Sequence, residues 1–177
     1  VGPTEINGLP AHALLVHVVV VLVPVAAAMV VCSAVWPAAR RRLGVATPVV
    51  AFVALVSVPL TTHAGEWLEA RVPSTPLVRR HAELGDSLLP WVVVLFVLAA
   101  ALWLLHRRAA PVAVGAADPT RHRRGRPVPP AVLIVVAVLS VAAAVGSVVQ
   151  VVRIGDSGAK AVWSGGFSTT PQPGQGG

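Results

Sequence analysis

Cysteine is almost missing: Cys32 is the only one in 177 residues. No intramolecular disulfide can form, and a Rieske centre, which takes two cysteines and two histidines, cannot be built from this chain alone. Cys32 itself lies inside an apolar run, where it reads as a small packed residue. Charge is scarce too, at 12% of residues against 55% hydrophobic, with a mean hydropathy of +0.77. That balance excludes an ordinary soluble domain, which carries about twice as much charge. The apolar stretches also lack the strict alternation of barrel strands, which leaves helix as the way to satisfy backbone groups in lipid.

The formal charge of +7 and a pI near 11.7 would suit nucleic acid. No recognition helix or aromatic platform accompanies the basic stretch Arg121-His122-Arg123-Arg124-Gly125-Arg126, so no nucleic-acid partner is expected. Gly155-Asp156-Ser157-Gly158 is similar to the nucleophile segment of trypsin-like proteases. Such an enzyme needs a β-barrel to deliver its His and Asp, and nothing here supplies one. No catalytic motif is identified.

What is present is four long apolar runs, each close to the ~20 residues that cross the hydrocarbon of a bilayer. The spans are predicted at about 13–36, 45–67, 81–106 and 129–153. Pro24, Pro48, Pro59 and Pro90 lie in or near them, and Pro59 is expected to free the carbonyl of Leu55 just before His63. Residues 1–10 form a polar head without Lys or Arg, unlike a cleavable signal peptide, and are expected to be retained. Residues 107–130, rich in Pro, Gly and Arg, read as a loop; the low-complexity tail, 164–177, reads as disordered. The expected fold is an all-α integral membrane four-helix bundle, with 11–163 as its transmembrane domain.

Basic residues fix the expected orientation, because Lys and Arg near span ends stay on the cytoplasmic side. The first and third connections hold nine (Arg40, Arg41, Arg42, Arg107, Arg108, Arg121, Arg123, Arg124, Arg126), and the opposite face holds five. Of the seven acids, only Asp118 falls on the basic side. Both termini are thus expected on the extracytoplasmic face of a bacterial cytoplasmic membrane.

Chemistry-bearing residues gather toward that outer face. His17 lies roughly 8 to 10 Å below the start of its span, at 1.5 Å rise per residue. An imidazole at that depth is expected to face the bundle and meet a partner. His63 and Glu66 are three residues apart on one helix face. His81, Glu83 and Asp86 crowd the start of the third span, Asp156 follows the fourth, and His12 lies just above His17. One expectation is a membrane redox or metal-binding subunit in which His17, His63 and His81, with His12, ligate a b-type haem or a transition metal. Glu66, Glu83, Asp86 and Asp156 would stand behind them as orienting carboxylates. Two alternatives stay open: an accessory subunit docking a larger membrane complex, and a component of a proton or ion pathway.

Four segments carry a resemblance. Gly8-Leu9-Pro10-Ala11-His12 running on to Val16-His17, His63-Ala64-Gly65-Glu66-Trp67-Leu68-Glu69, Arg80-His81-Ala82-Glu83-Leu84-Gly85 and Ile154-Gly155-Asp156-Ser157-Gly158-Ala159 resemble the pattern of the DUF2231 family. These are small four-span bacterial membrane proteins without an established function, and the resemblance covers nearly the whole chain outside the third loop and the tail. The chain departs from the pattern at Ala13, where relatives have proline, and at Asp156, where they have histidine. Related membrane segments occur joined to Rieske domains, so the resemblance implies a redox association with a separate partner.

Overall fold

The computed structural model describes residues 4–109, 112–113, 122–123 and 128–164. The expected tail and most of the arginine-rich third connection lie outside these residues. The described chain is all-helical apart from two minimal hairpins, and four of its helical stretches are long and apolar enough to span a membrane.

Asn7 and Gly8 take positive φ values of 51° and 75°, the backbone of a two-residue hairpin turn. They fold β1 (Glu5–Ile6) onto β2 (Leu9–Pro10), with Ile6 opposite Leu9. Helix α1 (Ala11–Val35) follows directly. It stops because Pro37 forces Trp36 into extended backbone, and Pro37 then opens the short α2 (Pro37–Leu43). Gly44, at φ 45°, turns the chain into α3 (Ala46–Glu69), which runs on through Pro59. Thr75 caps α4 (Pro76–Asp86) by accepting the amide of Val78 at 3.2 Å. After Ser87 comes α5 (Leu88–Ala109), and two prolines lead into α6 (Pro130–Trp163). Val112–Ala113 (β3) pairs antiparallel with His122–Arg123 (β4) inside the segment expected to be a loop.

The third span is therefore interrupted at Ser87. Pro90 has no amide to offer the carbonyl of Asp86, so one bond of the ladder is missing beside the break, although α1 and α3 run on through Pro24 and Pro59. The loosened carbonyl of Leu84 accepts from Ser87 Oγ at 2.7 Å and from Gln150 Nε2 of α6 at 3.0 Å, and that amide also meets Ser87 Oγ.

Helix α1 packs on α3 and α6, and α5 packs on the same two, so the order around the bundle is α1, α3, α5, α6. Consecutive long helices run antiparallel. Helix α4 lies at one end, mainly against α6. The interior is built from small residues such as Ala26, Ala27, Ala51, Ala54 and Ala99, which allow backbones to approach closely. Gly146 is the closest approach: the Trp91 ring occupies the place of a side chain, and a Cβ there would fall 2.0 Å from it. The buried hydroxyls of Ser57, Ser140 and Ser147 donate to carbonyls of their own helices at 2.7–2.8 Å, and among the described residues no buried side-chain polar atom lacks a hydrogen-bond partner. Large apolar side chains also point outward: Val21, Phe52, Val97, Ile134, Val138 and Val145 are each more than half exposed. Alanines share the interior with Val23, Val30, Val58, Val92 and Leu95, while the outer surface is apolar as well, as a lipid-facing bundle requires.

Candidate functional site

The two ends of the bundle differ in chemistry. One end carries His12, His63 and His81 and is called the histidine end; the other carries Arg40 and Arg107 and is called the arginine end.

At the histidine end, two imidazoles reach across to neighbouring helices in the same way. His12, in the first turn of α1, places Nδ1 3.0 Å from the carbonyl oxygen of Thr61 on α3. His81, on α4, places Nδ1 3.2 Å from the carbonyl oxygen of Ile154 on α6 and 3.0 Å from Ser157 Oγ, which itself donates to Ile154 at 2.8 Å. A carbonyl only accepts, so both Nδ1 atoms carry the proton. In the neutral ring, Nε2 then keeps the lone pair.

Glycine makes both contacts possible. In a helix the carbonyl of residue i points toward residue i+4, whose side chain can crowd a third party approaching it. Four residues after Thr61 is Gly65, and four after Ile154 is Gly158. A Cβ on Gly65 would stand 3.0 Å from His12 Nδ1, and one on Gly158 would stand 2.9 Å from His81 Cε1. Each imidazole is thus seated in a notch that any side chain would fill. The two rings lie 6.1 Å apart, centroid to centroid, with their planes 82° to one another. Both line a cavity of about 460 Å³. Its walls are mostly apolar, including Val19, Val58 and Leu88, and Glu66, Glu69 and Asp86 also border it.

Of the other expected site residues, Glu66 and Asp86 border this cavity, while His17, His63, Glu83 and Asp156 sit outside its wall. His17 does not face the bundle. It lies two positions before the buried Val19, about 200° around the helix from it, and is exposed. Its Nδ1 donates to the carbonyl of Ala13, 2.7 Å away on its own helix. That local bond supplies the partner which the depth argument had sought on another helix. His63 stands 3.8 Å from Glu66 on the same helix, with 44% of its side chain exposed; it is not part of the cavity wall. Glu83 pairs with Arg80 at 3.6 Å and Asp156 with Lys160 at 2.7 Å, all on exposed side chains. Carboxylates were expected to hold the second ring nitrogens of the histidines; for His12 and His81 backbone carbonyls do so, because the glycine notches bring the helices close enough. Among the described residues no group of three or more His, Cys, Asp and Glu is placed to hold a metal ion.

Three participants escaped the sequence reading. Thr61 and Ile154 contribute main-chain oxygens, which no side-chain pattern reveals, and Ser157 stood in a resembling segment and in a discounted protease motif without a role of its own. The findable signal was the pair Gly65 and Gly158, each a glycine inside a helix four residues past a carbonyl. No family model, curated protein or solved structure matches this chain.

Proposed function

We propose that this chain is a multi-pass protein of the bacterial cytoplasmic membrane, both termini extracytoplasmic, that holds a b-type haem between His12 and His81 as an electron-carrying membrane subunit. The observation that carries the reading is the matched pair of imidazoles: each has Nδ1–H fixed by a backbone carbonyl, each is seated against a glycine, and their centroids are 6.1 Å apart. Two imidazoles this close could both serve as ligands to the iron of one haem. Fixing Nδ1–H on an acceptor sets the tautomer that ligates through Nε2.

A bare transition-metal ion asks more of the protein, usually three or four ligands. A tetrapyrrole would bring four nitrogens of its own and ask for fewer, which suits a pair of imidazoles. Its chemistry is one-electron transfer. His12 and His81 would hold the group, and the apolar walls would exclude water. The four segments that resemble the DUF2231 pattern contain His12, Gly65, His81, Ile154, Ser157 and Gly158, which supports membership of that family and a redox partner in the membrane. Orientation rests on the basic residues of the first and third connections.

A second reading has its own support: the same notches tie α1 to α3 and α4 to α6, as an accessory subunit that only presents a rigid surface would need. An ion pathway has less, because the sequence carries no acid in mid-span. Purification of the full chain in mild detergent, followed by an absorption spectrum and iron analysis, separates the two leading readings. A Soret band with about one iron per chain is expected. A colourless, iron-free protein that co-purifies with a larger membrane complex would favour the accessory role.

A further inference from the structure

The arginine end holds a second cavity, of about 230 Å³, between the ends of α1, α3 and α5. Arg40 leans back from α2 over the last turn of α1, donating from Nε to the carbonyl of Ser33 at 2.6 Å and from Nη2 to that of Ala34 at 2.7 Å. Those bonds use two of its five N–H groups. The guanidinium is half-buried, and that burial lowers its pKa from the ordinary arginine value, although a guanidinium stays charged. Arg107 flanks the same cavity with its guanidinium carbon 5.1 Å from the Trp103 ring centre, a cation–π distance. His106 and Thr47, whose hydroxyl lies 3.1 Å from that of Ser33, complete the polar lining.

Every ion pair among the described residues is at the other end: His63–Glu66, Arg80–Glu83 and Lys160–Asp156. The cavity has a mostly apolar wall, with Ala99, Leu102 and Trp103, and two guanidiniums stand at its border, the groups that bind phosphate oxygens. Its volume corresponds to roughly eight waters at about 30 Å³ each, enough for a phosphate with its glycerol. Outward-facing Val35, Val45 and Leu104, 42–61% exposed, lie at this end of their helices, where acyl chains can rest.

We propose that this cavity binds a phosphate ester, supplied by the headgroup of an anionic phospholipid. Basic pockets between spans on the cytoplasmic side recognise such headgroups. The test uses the full chain, delipidated in neutral detergent, with thermal unfolding followed during titration of phosphatidylglycerol, phosphatidylcholine or inorganic phosphate. Phosphatidylglycerol is expected to raise Tm saturably, and the other two are expected to leave it unchanged. Arg107→Gln should weaken the phosphatidylglycerol effect about fivefold, read against the variant's own Tm without lipid. Should Arg107→Gln misfold, Arg107→Lys, which keeps the charge and loses the fork of donors, provides a graded comparison with a smaller loss. Equal protection by phosphatidylcholine, an equal shift with inorganic phosphate alone, or unaltered phosphatidylglycerol binding by the variant would each overturn the proposal.

Discussion

The two ends of this bundle use hydrogen bonds to carbonyls for different purposes. At the arginine end, Arg40 caps the last turn of α1 from six and seven residues away, answering a need of every helix C-terminus, whose final carbonyls have no amide partner. At the histidine end, His12 and His81 reach 49 and 73 residues along the chain to carbonyls inside continuous helices, which already have amide partners. The helices do not need those bonds; the imidazoles do. A guanidinium that caps is a feature of folding, whereas two imidazoles held by borrowed carbonyls are a feature of placement.

The sharpest way to break the comparison is to fill a notch. Gly158→Ala or Gly65→Ala should displace an imidazole and cost about 1 to 3 kcal/mol, as overpacking does, visible as a lower thermal midpoint by circular dichroism in detergent. Gly155→Ala, three residues from Gly158 on the same helix, meets nothing within 4 Å and should be neutral or stabilising by up to about 1 kcal/mol. Equal losses at 155 and 158 would remove the notch from the account.

Gly44→Ala comes next. It places a side chain at φ 45°, ψ −124°, outside the left-handed helical region and against empty space, so backbone strain of about 1 to 3 kcal/mol is expected; a calorimetric midpoint checks it. Arg40→Gln follows. Losing two charge-assisted bonds at a half-buried cap should cost about 1 to 2 kcal/mol, read from denaturant unfolding, with no change in anything bound at the histidine end. The smallest effect should come from Asp156→Asn. Its pair with Lys160 is exposed on both sides, and solvent screening leaves less than about 0.5 kcal/mol, within the error of a urea titration.

Much of the fold could be read from the amino acids because lipid-length apolar runs have few alternatives. The interruption at Ser87 was half visible: Pro90 stood in the predicted span, but Gln150, which satisfies the loosened Leu84 carbonyl, lies 66 residues away. Helix α6 continues ten residues past its expected end at 153, to Trp163. Contact with α4 through His81, and the Asp156–Lys160 pair, sustain a stretch too polar for a hydropathy window. The Asn7-Gly8 turn was readable and overlooked. His17 illustrates the harder limit. Position in a helix gives a depth, but the direction of a side chain depends on which face the neighbours cover, and a bond to its own Ala13 carbonyl left it free to point away. Of the candidate histidines, the structure brings together His12 and His81, because the glycines that admit them lie on other helices.

The central claim is that His12 and His81 act as one pair while His17 and His63 stand outside it. The most direct measurement is the Soret absorbance per chain of the purified protein and of His12→Ala, His81→Ala, His17→Ala and His63→Ala prepared side by side. The account predicts that the first two variants lose the band and the last two keep it. Loss of the band in His17→Ala or His63→Ala, with retention in His12→Ala or His81→Ala, would contradict it.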